Sequence, residues 1–245
     1  MRRAYSIYVA FIFLLLALLV VPSILILYYL GSKRMALGIH PYWAKTFFFL
    51  IFIPVEIEYQ FKPDKNGRYI FCSNHFSFID IPVMAFLPNA FKYIGKSSIT
   101  KVPLFGYMFK KIHIAVNRSD PKSRLASIKA SKKALNDGFS LAFFPEGGII
   151  TKDPPNMVRF KDGAFRLSLD HQVPIVPVTL PFDHEILPDD NKFLFRRRKC
   201  KIIVHKPIFP GENDFEELAS LKNHTFEIID TELKKHFTYV DKGNQ

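Results

Sequence analysis

Apolar and polar positions divide the chain into two regimes. Across residues 4–30 no charged side chain interrupts AYSIYVAFIFLLLALLVVPSILILYYL. About 20 apolar residues suffice to cross roughly 30 Å of hydrocarbon, and a helix apolar on every side is not one that lies on a soluble surface. A secretory leader would carry an apolar stretch of roughly 7–15 residues ending in small side chains. This run is longer and ends in Tyr28-Tyr29-Leu30, which predicts a retained membrane segment. Pro22 predicts a kink or break inside it. A second apolar block, TFFFLIFIPV over 46–55, is too short to span and suits an interfacial or re-entrant segment. Tyr42 and Trp43 stand at its start, where amphipathic rings favour the membrane boundary. Two dispositions fit. Either two helices dip into one leaflet and return with both ends on the cytosolic side, or one spanning helix precedes an interfacial one. Arg2 and Arg3 flank one end of the first run and Lys33 and Arg34 the other, so basic flanks do not choose an orientation.

From Lys62 onward, short β-rich runs alternate with longer amphipathic stretches. Strands are predicted over 69–72, 91–94, 112–116, 141–144, 175–180 and 201–205. Several are continuously apolar, as expected of strands covered on both faces. Helices are predicted over 81–86, 104–110, 121–136, 163–171 and 214–237. Asp120-Pro121 starts one of them and Asp137-Gly138 stops it. The alternation predicts an α/β fold with a mostly parallel central sheet flanked by helices. The chain then divides into a membrane-anchoring helical segment, 1–58, and one α/β domain, 59–245.

Composition adds a sign. The 245 residues carry 34 basic against 22 acidic side chains, a formal net charge of +12. That balance points to an anionic partner: membrane lipid, phosphorylated substrate or nucleic acid. Nucleic acid fits least, because the basic residues form no recognisable module and the apolar N-terminus would be left unexplained. The densest basic run, FRRRKCK over 195–201, reads either as a solvated strand edge or as a contact for anionic headgroups. CoA phosphates or an acidic carrier protein are equally compatible with it. The two cysteines, Cys72 and Cys200, form no disulfide or zinc pattern, and no metal-ligand cluster is present.

Candidate chemistry centres on CSNHFSFID, residues 72–80. The stretch follows a strand, and α/β sites gather beyond the carboxyl ends of strands. One reading makes Asp80 a helix cap and His75 a polar loop residue. The other makes His75 a general base whose tautomer is fixed by Asp80, the base–orienter logic of hydrolase triads. Ser77 lacks a Gly-x-Ser-x-Gly turn, so a covalent acyl-serine is poorly supported. The base would then act on a hydroxyl carried by the substrate. FFPEGG supplies Glu146 and Gly147, RFKDGAF supplies Lys161, and Arg118 stands at another strand end.

Taken in order, these segments resemble the glycerolipid acyltransferases, and the lysophosphatidic acid acyltransferases most closely. Asn74, His75 and Asp80 match Asn-His-x4-Asp. Gly106 and Arg118 match the second block. Phe144-Pro145-Glu146-Gly147 matches the third, and Val173 to Val178 the fourth, Val-Pro-Ile-Val-Pro-Val. The resemblance covers roughly residues 70–180. It implies acyl transfer from a thioester, acyl-CoA or acyl carrier protein, to the sn-2 hydroxyl of lysophosphatidic acid, giving phosphatidic acid. His75 would be the base and Asp80 its orienter. Arg118 would hold the acceptor phosphate, Glu146 with Gly147 would help position the glycerol part, and Lys96 and Lys161 would be secondary phosphate contacts. Backbone N–H groups near Gly147 and Gly148 would face the oxyanion. No cofactor or metal is implied beyond the acyl donor, and the expected partners are membrane lipids, lysolipid and donor at the cytoplasmic face of the cell membrane. Gly148 and Ile149 stand where the family usually has Thr and Arg. That leaves open a different acceptor, such as a lyso-aminolipid without phosphate, or a charge supplied by Lys152, Arg159 or Lys161. A non-catalytic lipid-binding protein on the same fold is the alternative class.

Overall fold

The structure, a computed structural model, describes residues 2–242. Helix α1 (Arg2–Tyr29) continues through Pro22 without the predicted break. Proline removes one N–H from the helical ladder; the next residue, Ser23, donates its hydroxyl to the Leu19 carbonyl at 2.8 Å, which supplies a hydrogen bond to that turn. Gly31, at φ 80°, makes the corner into α2 (Lys33–Gly38) and α3 (His40–Leu50). The second helical segment therefore begins and ends earlier than the apolar block 46–55. Residues 51–54 leave the helix, and β1 (Val55–Tyr59) follows. Its Val-Glu-Ile-Glu-Tyr alternation is a half-buried strand pattern that the preceding apolar block obscures. The boundary set after residue 58 falls inside this strand.

The remaining strands are β2 (Ile70–Ser73), β3 (Phe91–Lys96), β4 (Ile114–Val116), β5 (Ser140–Phe143), β6 (Ile175–Thr179) and β7 (Cys200–Val204). They form one seven-stranded sheet in the order β1-β7-β6-β2-β5-β3-β4. Every neighbouring pair is parallel except β6 with β7. All four residues of β2 and all five of β6 are buried, as central parallel strands require. The helices after α3 are α4 (Asp80–Met84), α5 (Phe105–Ile112), α6 (Pro121–Asn136), α7 (Gly163–His171), α8 (Asp183–Ile186) and α9 (Phe215–Lys242). Helix α6 starts where the Asp120-Pro121 signal puts it, with the Asp120 carboxylate accepting from the Lys122 N–H at 3.0 Å. The sequence gives no periodic signal for the single turn of α8, nor for the 3-10 turn Ser97–Lys101.

The chain leaves β2 for β3 and β4 on one side, returns to β5, and then crosses to β6 on the other. That reversal flanks β2 with β5 and β6, whose carboxyl ends share one edge, and such a switch point opens a crevice for a ligand. Two apolar clusters hold the sheet. One joins Val9, Ile12 and Leu16 to Phe48, Phe71 and Val176; the other joins Val21 and Ile24 to Ile70, Leu141 and Leu221. Helix α1 thus packs into both. Near its start Tyr5 and Tyr8 donate to the Ile51 and Leu50 carbonyls at 2.6 and 2.7 Å, satisfying acceptors that the end of α3 leaves open.

Candidate active site

Beyond β2 the chain turns around one carboxylate. Asp80 Oδ2 accepts from His75 Nδ1 at 2.9 Å, from the Phe76 N–H at 2.8 Å and from the Ser77 N–H at 2.9 Å. Asp80 is the first residue of α4 and makes no cap to its own helix; its carboxylate reaches back and shapes the loop instead. The same three donors that fold the loop aim the imidazole. Asn74 locks the loop to the end of β6, donating to the Leu180 carbonyl at 2.9 Å and accepting the Leu180 N–H at 2.8 Å. Phe144, at the end of β5, stacks on the His75 ring with centroids 4.0 Å apart and planes 18° apart. The Ser77 hydroxyl is fully buried and donates to the Leu187 carbonyl at 2.7 Å, so it is not poised as a nucleophile.

The electrostatics favour a neutral imidazole at rest. Burial lowers the His75 pKa to about 4, with nearby Glu146 opposing and Arg118 reinforcing that shift. Because Asp80 Oδ2 is an acceptor, the ring proton sits on Nδ1 and the lone pair on Nε2. Nε2 has no hydrogen-bond partner among the described residues. Burial raises Asp80 to about 7, against its own backbone hydrogen bonds. A neutral imidazole held by a carboxylate, with one nitrogen open, can take a proton from an incoming hydroxyl and hold it.

Glu146 takes a task different from the one its motif implies. It is fully buried; Oε1 accepts the His75 backbone N–H at 2.7 Å and Oε2 the Val158 N–H at 3.1 Å. Both carboxylate oxygens thus brace the loops after β2 and β5 rather than facing the crevice. The Gly147 N–H also has a protein partner, the Phe144 carbonyl at 3.0 Å, whereas the Gly148 N–H has none among the described residues. Of the two donors named for an oxyanion, Gly148 is the free one.

Two cations meet over Gly147. Its φ of 96° suits glycine, and a Cβ there would lie 2.5 Å from Lys161 Nζ and 3.1 Å from Arg118 Nη1. Arg118 comes from the end of β4. Lys161 is set by its own N–H, which donates to the Pro145 carbonyl at 2.9 Å. Neither cation has an acidic partner among the described residues. Lys152 is held by Asp189 at 2.7 Å and Arg159 is exposed, so of the three substitutes for the missing arginine, Lys161 is the one beside Arg118. Lys96 ends β3 in register with Val116. It shares the sheet edge but is exposed, with no hydrogen bond or ion pair to the His75 cluster among the described residues.

A family model described as Acyltransferase matches residues 54–181, which contain this whole site. The chain belongs to the acyltransferase family. It is 35% identical over 153 residues to a 1-acyl-sn-glycerol-3-phosphate acyltransferase of Chlamydomonas reinhardtii, covering 62% of this chain and 45% of that one. It is 31% identical over 153 residues to the chloroplastic 1-acyl-sn-glycerol-3-phosphate acyltransferase BAT2 of Brassica napus, covering 62% and 44%. The chain spans about half the length of these relatives. Its fold is that of the crystal structure of the 1-acyl-sn-glycerophosphate (LPA) acyltransferase PlsC from Thermotoga maritima, with a TM-score of 0.77, 20% identity, and 96% and 97% of the two chains covered.

In this acyltransferase three contributions went unread in the sequence. Asn74 was visible only as part of a motif, and its peptide-like clasp on Leu180 depends on β6 lying beside β2. Phe144 is one of 26 phenylalanines, and nothing local marks it as the ring under His75. Asp183 lies more than 100 residues from Asp80, yet α8 brings the two carboxyl groups within hydrogen-bonding reach.

Proposed function

We propose that this acyltransferase transfers a fatty acyl group from an acyl thioester, acyl-CoA or acyl carrier protein, to the sn-2 hydroxyl of lysophosphatidic acid. The observation that carries this reading is an open, Asp80-oriented imidazole nitrogen beside a cation pair, Arg118 and Lys161, that has no acidic partner among the described residues. The acceptor phosphate binds the pair, the guanidinium offering its fork to two phosphate oxygens. His75 Nε2 takes the proton of the sn-2 hydroxyl as the oxygen attacks the thioester carbon. The tetrahedral oxyanion meets the Gly148 N–H. Collapse breaks the C–S bond, and the imidazolium returns the proton to the departing thiolate. The names of the relatives agree with this acceptor, and Lys161 offers the charge whose absence at Ile149 had left a phosphate-free acceptor open.

The membrane reading rests on α1. By length and composition it can cross a bilayer, yet it contacts the domain at both ends: Ser6 Oγ accepts the Phe195 N–H at 2.8 Å, and Tyr29 hydrogen-bonds Tyr107. Its outer face exposes Phe11, Leu14, Leu18 and Leu19. A helix tied to the domain along its length supports immersion in one leaflet. Phe49 and Phe52 are exposed beside it, with Arg197 over the Phe52 ring. That arrangement suits an interfacial rim, on the cytoplasmic side where both acyl donors reside. Keeping the lipid chains in the bilayer avoids a cost of about 0.8 kcal/mol per CH₂ group.

The test is a panel. Purified enzyme in detergent is incubated with labelled acyl-CoA or acyl carrier protein and with lysophosphatidic acid, other lysophospholipids and a lyso-aminolipid. Labelled phosphatidic acid as the main product supports the reading; labelling of the phosphate-free acceptor instead, or of none, overturns it.

A further inference from the structure

Behind the His75–Asp80 pair lies a second buried carboxyl group that the reaction as written does not use. Asp183 is fully buried at the start of α8. Its Oδ1 accepts from the Cys200 thiol at 3.2 Å. Its Oδ2, and Oδ1 of Asp80, receive no donor from any described group, while the two carboxyl groups lie within hydrogen-bonding reach of each other. Two carboxylates cannot both be charged side by side in a dry interior. A single proton placed between them satisfies both orphaned oxygens at once.

The partners decide where that proton resides. Asp80 Oδ2 is surrounded by three N–H donors, which favour its anion. Asp183 has only a weak thiol donor, and burial followed by the neighbouring Asp80 charge pushes its pKa well above the carboxylate range. Among the described residues, Glu146 also acts on Asp80, raising it further, while Glu146, Arg118 and Asp189 act on His75.

We propose that Asp183 is a positioning residue: a permanently protonated carboxylic acid whose O–H donates to Asp80 Oδ1, keeping Asp80 ionised and His75 correctly oriented. The proton stays on Asp183 throughout turnover. His75 alone exchanges a proton with the substrate, and Asp80 remains the anion facing the imidazolium. The chain Cys200–Asp183–Asp80–His75 therefore extends the catalytic pair across α8 to the first residue of β7.

The inference rests on the acyl-transfer reading for its kinetic arm, and a spectroscopic arm stands apart from it. In the kinetic arm, Asp183→Ala leaves Asp80 Oδ1 buried without a donor. The value of kcat is expected to fall about 10- to 100-fold with KM little changed, and the acid limb of the pH–rate profile to move up by about one unit. Asp183→Asn, whose amide still donates to Asp80, is expected to restore most of kcat and the limb. Equal losses in both variants, or wild-type kcat and acid limb in Asp183→Ala, overturn the proposal. In the spectroscopic arm, the infrared difference between wild type and Asp183→Asn at neutral pH should show loss of a protonated-carboxyl C=O band. Loss of an ionised carboxylate band instead overturns it. This measurement needs no turnover and stands if Asp183→Ala does not fold. Failure of the wild type to acylate any acceptor would count against the acyl-transfer reading alone.

Discussion

The two halves of the site are built on opposite principles. Around His75 almost every polar atom is engaged: Asp80 Oδ2 holds three donors, Glu146 braces two loops, and Asn74 clasps β6. His75 Nε2 is left open, and buried Asp80 Oδ1 has no donor other than the proton proposed for Asp183. Across Gly147 the pattern reverses, because Arg118 and Lys161 are brought together with no ion-pairing carboxylate among the described residues. Buried acceptors must be satisfied by the protein itself, whereas half-exposed cations can wait in water at little cost. In the proposed reaction the first half, set up on folding, acts on a proton, and the second waits for an anion.

Substitutions on the two sides should therefore fail in different ways. The largest effect is expected for His75→Ala, which should lower kcat by about 10²- to 10⁴-fold while thermal melting and vesicle association stay near wild type; turnover at the wild-type rate would remove the base from the first half. Arg118→Ala should act on binding, raising KM for lysophosphatidic acid by about 10- to 100-fold, as loss of a charge-assisted hydrogen bond would. A fall in kcat alone would merge the two halves. The pH profile sharpens the contrast. Asp80 must be ionised to stabilise the imidazolium, and its pKa is raised to about 7. Below that pH the orienting charge is lost, so kcat/KM should climb roughly tenfold per pH unit toward pH 7 and then level off. His75, at about 4, is already neutral through that range. A profile still flat down to pH 5 would assign no such role to Asp80. Gly147→Ala keeps every charge but forces a Cβ against Lys161 at a φ that alanine resists; a several-fold rise in KM is expected, measured with the same acceptor. The smallest effect belongs to acyl-chain choice. Ala85 lines a half-open, mostly apolar pocket with Phe13, Ala17, Trp43 and Met108; were this pocket to take the acyl chain, Ala85→Leu would shift donor preference a few-fold toward shorter chains in competition assays.

Much of the scaffold was legible because its signals are local. The ends of α6 and α7 follow from the Asp-Pro start, the Asp-Gly stop and helical spacing. The six strands expected beyond residue 62 are all present with ends shifted by a residue or two. Strand β1 was lost because its alternation abuts an apolar block, and α8 because four residues carry no period. The order of strands was not readable at all, since β2 meets β5 and β6 through contacts separated by 70 residues or more.

By itself the sequence determined that this is an α/β acyltransferase with an apolar N-terminal helix, and that His75, Asp80, Arg118 and Glu146 belong to one set of motifs. Residue type and short spacing suffice for that. The tertiary structure alone decided what each does. Glu146 became a brace because two loops bring N–H groups to its oxygens. Lys161 joined Arg118 because a turn beside Pro145 carries it over a glycine. Asp183 met Asp80 because α8 packs behind the loop after β2. Hydrogen bonding and charge coupling act over a few ångströms, and only the folded chain brings residues so far apart in sequence within that range.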